Sequence, residues 1–381
     1  GPSANVALGL GVMIHGFDFD DYHNAKIHPG APVIPAAMAV GESIGASGKA
    51  VIAAMVSGYE TMIRISLATG PNASRSRGWH LTGTTGTFGA AAAAGNLLGL
   101  DGERMASALG MAGTQSAGLW AFTADGAMSK RFHPGRAAQS GVMAALLARM
   151  GFRGPTQILE ATDGGFCKAT SDQTDLSLIT EGLGSRFLCR DVNIKPYACC
   201  ASAHSAVDAV LELRKRHRFS PSDVERIRVK TAEGVKLQCG FEYRALGTVQ
   251  AQMSLQYIVA VSLLDGQAMP EQFADARIAE PQVLALAGHV EIVADPEMDR
   301  LYPEHYANKV EILLKNGRRL EARVDDAKGS VESPIGFPEI TEKFRSLAAP
   351  VIGTDRTGVF IDMVEGLELL EDIGELTRML A

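Results

Sequence analysis

The sequence predicts a mainly α protein with an α+β insertion. An all-helical domain is expected from both chain ends, residues 1–191 and 334–381. A smaller α+β domain with a mainly antiparallel sheet is expected between them, residues 192–333. Three observations predict this. Up to about residue 190, apolar residues recur at three- and four-residue intervals among many Ala and Gly. Residues 224–230, 289–293, 309–314 and 319–324 instead alternate apolar and polar, the pattern of half-buried strands. Beyond Pro334 helical spacing returns over 344–379, and this tail is expected to pack back on the first domain.

Residues 1–11 start abruptly with small apolar residues at helix spacing, as if the chain entered mid-fold or followed a cloning remnant at Gly1-Pro2. The stretch from Ile14 to Gly30 then concentrates ionisable groups in an apolar region: His15, Asp18, Asp20, Asp21, Tyr22, His23 and His28. Were 17–23 helical, Asp18 and Tyr22 would share a face, with His28 in a turn closed by Pro29-Gly30 that starts the next helix. Carboxylate, phenol and imidazole against an apolar wall suit acid/base chemistry. A solvated helix end with a capping Asp and a satisfied histidine fits the same residues, and both readings stand here.

Residues 32–43 read as a buried helix, and Ser47 as the N-cap of a second that runs to Gly70. Residues 71–89 read as a polar loop, followed by a helix over 90–98 with Gly99 as C-cap and Asp101 starting another. No Gly-Lys-Ser/Thr is present, so Gly83, Gly86 and Gly89 point to tight helix packing rather than a phosphate loop. His80 precedes a helix start, where an anion would settle. Met128-Ser129-Lys130-Arg131-Phe132-His133-Pro134-Gly135-Arg136 places Pro134 in the first turn of a helix ending near Met150. The bland reading is a basic surface turn, but helix dipoles disfavour cations at this end unless an anion sits among them. Further on, residues 201–214 read as a helix bearing His204 and Asp208, and 253–261 as a buried helix containing Tyr257. Asn316-Gly317 reads as a hairpin turn.

A net charge of -7 argues against nucleic acid as a partner. Five cysteines without a Cys-x-x-Cys pair suggest neither a disulfide framework nor a zinc knuckle, and a cytoplasmic location is expected. Cys199-Cys200 reads as packing, and an iron–sulfur cluster is not expected. No signal peptide and no apolar run long enough to span a bilayer are evident, so no membrane partner is expected.

Five motifs occur in order: His15-Gly-Phe-Asp18-Phe-Asp20-Asp21, His28-Pro-Gly, Gly78-Trp-His80 with Gly86-Thr-Phe-Gly-Ala-Ala-Ala, Lys130-Arg-Phe-His133 and Lys195-Pro-Tyr-Ala-Cys-Cys. With them the whole chain resembles the MmgE/PrpD family of 2-methylcitrate dehydratases, cis-aconitate decarboxylases and iminodisuccinate epimerases. The resemblance implies a homodimer and an interdomain active site that needs no metal or organic cofactor. It carries over Asp18, His28, His80, Lys130, His204 and Tyr257 as site residues. Two departures stand out: Tyr22 replaces the threonine common after Asp-Asp and would fill part of the pocket, and the family's N-terminal helices are missing, as in a truncated or renumbered chain.

The expected function is a cofactor-independent lyase, 2-methylcitrate dehydratase-like, that removes a proton next to a carboxylate of a small di- or tricarboxylate. An epimerase or decarboxylase of the same family is the alternative. His28 is expected as acid/base, with Asp18 as its orienting partner or a second base. His80, Lys130, Arg131 and His204 are candidate cations around the substrate, beside Tyr22, and Tyr257 a proton donor from the opposite domain. On residue type alone, His204 and Tyr257 are as readily packed core residues. From another class, His15, Asp18, Asp20, Asp21, His23 and His28 could ligate the metal of a hydrolase, and a non-catalytic binding protein is also consistent with Tyr22. The enzyme reading requires positive side chains from distant parts of the sequence, Lys130 and His80 among them, to converge on one cavity beside Asp18 and His28.

Overall fold

A computed structural model describes residues 1–379. Helix α1 (Ser3–Ile14) is followed by an irregular turn and a short strand β1 (Asp21–Tyr22). Then come α2 (Gly30–Ile44), α3 (Gly48–Ala68), the short α4 (Pro71–Ser76), α5 (Leu81–Leu97), α6 (Gly102–Gly113) and α7 (Ser129–Arg149). Helix α5 is the axis of this lobe: every residue from Leu81 to Gly95 is buried, as suits a helix packed on all sides. Its small residues let α3 and α7 approach its backbone. A Cβ built on Gly89 would lie 2.9 Å from the Gly58 carbonyl oxygen, and one on Gly58 2.8 Å from that of Gly89.

Three sequence expectations need correction here. Residues 17–23 are not helical: Asp18 has φ +50° and β1 pairs with a distant strand, so Asp18 and Tyr22 do not share a helix face. The 71–89 loop is mostly helix, because burial of α5 outweighs its Gly and Thr content and Thr85 and Thr87 turn their hydroxyls onto the carbonyls of Leu81 and Thr84. Helix α7 begins at Ser129, five residues before Pro134, which sits inside it. Ser47 does cap α3, accepting from the Ala50 amide. That helix is long and apolar enough, by length and composition, to cross a membrane, an apolar run the sequence reading did not single out. It also carries the buried Arg64–Glu60 ion pair at 3.0 Å and half of its apolar window is inside the lobe, as in a core helix.

The chain then passes α8 (Phe166–Thr170) and β2 (Asn193–Ile194) into the second lobe. This holds α9 (His204–Arg216), β3 (Val224–Thr231), α10 (Glu233–Cys239), α11 (Thr248–Met253), α12 (Leu255–Asp265), β4 (Val290–Ala294), β5 (Asn308–Leu314) and β6 (Arg319–Val324). The four long strands are ordered β4-β3-β5-β6, with β3 and β4 parallel and the other two pairings antiparallel. Gly317, at φ +82°, makes the β5–β6 turn. Ile227, Val229, Val310 and Ile312 face a core shared with Val207 and Val210 of α9 and Val259 of α12.

The tail returns as expected. Helices Phe337–Ile352 and Thr354–Glu365 lead to Leu370 and Ile373, whose backbones bond Gly48 and Ala46 at 2.9 Å, while Ile373 and Leu376 enter the α2–α3 core. The fold class is therefore as predicted: helices from both chain ends around a smaller α+β portion. Pairing of Asp21 with Ile194 and of Tyr22 with Asn193 stitches the two lobes together.

Candidate active site

That two-residue ladder sets the register of the site. Lys195 follows β2, donates its backbone N–H to the Asp20 carbonyl, and is completely buried. Its Nζ lies 2.7 Å from Asp18 Oδ1, and Lys130 Nζ, from the first turn of α7, lies 2.7 Å from the same oxygen. Lys130 also donates to His15 Nε2 at 3.0 Å, which fixes the His15 proton on Nδ1, where it meets Asp20 Oδ2 at 2.7 Å. Burial pushes the Asp18 carboxyl up, but the two ammoniums overcome it and hold it well below the usual range. Asp20 is likewise held ionised against burial by His15, His28 and Lys195. Lys195 is raised despite burial because it faces Asp18 and Asp20. Two carboxylates and two ammoniums thus form a nest whose charges balance internally.

His28 stands at the edge of this nest, its ring centroid 4.6 Å from that of His15. Its Nδ1 lies 2.7 Å from the Asp21 carbonyl oxygen, which can only accept, so the proton sits on Nδ1 and the lone pair on Nε2. Burial, then the charge of Lys195, depress its pKa well below the usual 6.5. The ring is a neutral base. His80, at the N-cap of α5, pairs Nδ1 to Nδ1 with His133 at 2.9 Å and stands edge-on to Trp120 at 5.4 Å. His28 and His80 line one cleft with Tyr22, Lys26, Arg75, Trp120, Cys200 and Tyr306.

Lys130, His28 and His80 gather around His15 and Asp18, but of the three only His28 and His80 line the cleft, so the expected convergence of positive groups on one cavity is seen in part. Tyr22 does fill part of the cleft wall, its ring edge-on to Tyr306 and His204. Other expectations fail on position or charge. Tyr257 lies in the core of the second lobe and donates its hydroxyl to the Gln272 carbonyl, away from the cleft. His204 is packed behind Tyr22 and Tyr197, and burial lowers its pKa to about 3, so it is no cation. His80 is also neutral, for burial and then His133 and Lys130 disfavour its charge. Arg131 bonds Gln252 at 3.3 Å, a residue that ties Phe17 to Ala198 across the lobes. The anion inferred at the start of α7 is the protein's own Asp18.

Asp21 turns to the opposite side of β1 from Tyr22, accepting from Gly30 N and the Tyr59 hydroxyl. Burial, then neighbouring Asp20, raise it to about 7. A Cβ on Gly30 would strike this pair at 2.7–2.9 Å, so glycine is required there. Sequence reasoning gave Lys195 no role, and His15 and Asp20 a role only as metal ligands of the alternative reading, although all three lie in quoted motifs. It missed Lys26 and Arg75 for want of any pattern around them.

His15, Asp18, Asp20 and His28 present ligand atoms within 4.8 Å of one another, so the geometry alone would admit a metal ion. Their charge is already met: Lys130 and Lys195 occupy Asp18 Oδ1, and both nitrogens of His15 are engaged. Asp18 Oδ2 and Asp20 Oδ1 are buried and lack a hydrogen-bond partner, leaving acceptors free for water or a ligand's donor. His23 of the proposed ligand set is elsewhere, bonded to the Ala25 amide.

Comparison with known proteins matches both halves of the chain to one family. The MmgE/PrpD N-terminal domain matches residues 2–179 and the MmgE/PrpD C-terminal domain residues 197–369. The chain is 32% identical to a cis-aconitate decarboxylase of Aspergillus terreus over all of its length and 81% of that protein's. It is 29% identical to the human cis-aconitate decarboxylase, covering 79% of it. With the 2-methylcitrate dehydratase of Cupriavidus necator it shares 26% identity over 90% of this chain and 74% of that protein. With both domains matched and the charged motifs gathered at the lobe junction, the chain belongs to the MmgE/PrpD family.

Proposed function

We propose that this protein is a lyase for a small di- or tricarboxylate, in which His28 Nε2 moves a proton at the carbon next to a carboxylate. The observation that carries the reading is the fixed tautomer of His28: a neutral imidazole in the cleft, its proton committed to the Asp21 carbonyl. Lys130 and Lys195 supply positive charge within the same buried cluster. That charge favours the negative charge that develops on the substrate's carboxylate oxygens. Asp18, held far below neutral pH, is a weak base and acts by positioning the lysines rather than by taking the proton.

Decarboxylation ranks ahead of dehydration, because relatives named as cis-aconitate decarboxylases align over the entire chain and at higher identity. In that reaction carbon dioxide leaves, its bonding electrons shift into the carbon frame, and His28, which binds a proton from solvent at Nε2 once the bound polyanion raises its pKa, delivers that proton to carbon. In dehydration the base takes the carbon-bound proton and the hydroxyl leaves as water. Either step uses one imidazole beside fixed cations. A polyanion beside His28 raises its pKa and lets the same ring return the proton.

The test is a panel of di- and tricarboxylates followed by NMR in deuterated water, with wild type and His28→Gln. Expected is carbon dioxide release with deuterium incorporated into the product, lowered by orders of magnitude in the variant. Exchange without net reaction would mean an epimerase. No turnover of any panel member would remove the reading.

A further inference from the structure

The cleft holds two cations that the nest does not use, Lys26 and Arg75. Among the described residues neither faces a carboxylate. Lys26 donates to the Tyr302 hydroxyl and lies over that ring at 4.7 Å. The Arg75 guanidinium stacks on Trp120 at 3.8 Å, and its Nε is buried without a hydrogen-bond partner. Such stacking satisfies the face of the group and leaves its N–H edge free for a planar oxyanion. Lys26 sits at φ +62°, in a turn closed by bonds between His23 and Ile27.

The charge count points the same way. Burial and then Arg75 pull Lys26 down to about 8, while burial lowers Arg75 to about 10. The opposite charges that reach both are the neighbouring thiols, Cys200 and Cys239, with Tyr302 adding to Arg75. The two sulfurs lie 3.6 Å apart and share a proton: Cys200 is lowered to about 6 by the bond from Cys239, which is itself raised well above its usual value. This pair therefore carries at most one negative charge against two positive ones near neutral pH. Lys130, Lys195 and Arg64 each have a carboxylate within 3.0 Å. Among the described residues, Lys26 and Arg75 have none.

We propose that Lys26 and Arg75 form a second anion subsite that grips a carboxylate of the substrate away from the carbon at which His28 acts. It rests on the lyase reading for its substrate class and explains why the ligand should carry at least two well-separated carboxylates. Tyr302 and Trp120 are its apolar sides, and Arg75 gives it a bidentate face.

The test is calorimetric binding of propane-1,2,3-tricarboxylate, glutarate and butyrate to the full chain, as wild type, Lys26→Gln and Arg75→Gln. Wild type should prefer the polycarboxylates over butyrate. Each variant should weaken the tricarboxylate on the order of 10- to 100-fold, and butyrate by less than about threefold. With a turned-over substrate, KM should rise while kcat changes little. Unchanged tricarboxylate affinity in both folded variants would overturn the subsite, as would a wild type that binds none of the three. If Arg75→Gln does not fold, Lys26→Gln decides, since its turn is held by main-chain bonds. Selective binding without turnover would sink the lyase reading alone. Turnover with unaltered affinity in the variants would sink the subsite alone.

Discussion

Two groups of positive charge lie near His28, one buried behind it and one in the cleft it lines, and they differ in what they face. Lys130 and Lys195 are buried on a single carboxylate oxygen, their charge answered within the protein. Lys26 and Arg75 are half-buried on aromatic faces, with no acid opposite among the described residues. The first arrangement is costly to assemble but holds fixed charge ready beside the reacting base. The second stays electrostatically incomplete until something anionic arrives. On the function proposed above, the paired lysines organise chemistry and the two cations without a carboxylate select the ligand.

The largest effect should come from breaking the paired group. Asp18→Asn leaves two buried ammoniums facing a neutral amide, and should cost on the order of 3–5 kcal/mol in chemical denaturation, with activity lost beyond about a thousandfold. Lys195→Met should lower kcat by roughly 10²- to 10³-fold with a smaller loss of stability, since it removes one charge from a site that retains Lys130. If it raised KM alone, the division between organising and selecting cations would be wrong.

The pH dependence sharpens the same contrast. His28 is depressed in the free protein, so its limb of kcat/KM should lie below pH 6.5: a decline as pH rises through it marks a proton donor in decarboxylation, and a decline as pH falls through it marks a base in dehydration. Stability should behave in two opposing ways. His23, His133 and His204 are depressed to about 4, 4 and 3, so the unfolded chain binds more protons than the folded one below pH 6.5. Folding should therefore weaken as pH falls from 6.5 through these values, by on the order of 3 kcal/mol for His23 alone. Asp21 has the reverse sign. Raised to about 7, it contributes stability below about pH 4 that is lost as pH rises to 7. Asp21→Asn should remove that neutral-side loss, and a variant whose stability changes between pH 4 and 7 just as the wild type's does would count against the assignment. The smallest effect is expected from Tyr22→Thr, which widens the cleft: the range of accepted acids should broaden while turnover of the best one shifts by less than about tenfold.

Much of this was legible in the chain, and the failures have physical causes. Helical spacing found α2 and α3 and the Ser47 cap, and alternation found all four long strands. Helix α5 was cut short because its first turns are Gly and Thr, stabilised by neighbours that local propensity does not register. Residues 17–23 misled because their acid-rich spacing also fits a helix, whereas pairing with β2, more than 170 residues away, makes them extended. The site's motifs announced Asp18, His28, His80 and Lys130. Nothing local says that Lys195 will reach Asp18, that Tyr257 will turn into its own core, or that Arg75 will lie on Trp120. Those depend on how the lobes meet.

The short ladder between β1 and β2 has one more consequence. Because one lysine on Asp18 comes from each lobe, neither half of the chain can assemble the reactive centre by itself. Severing the chain between the lobes, or prising them apart, would dismantle the catalyst before either half melted. Activity is thus a sensor of correct docking, and a misassembled molecule should be silent rather than careless.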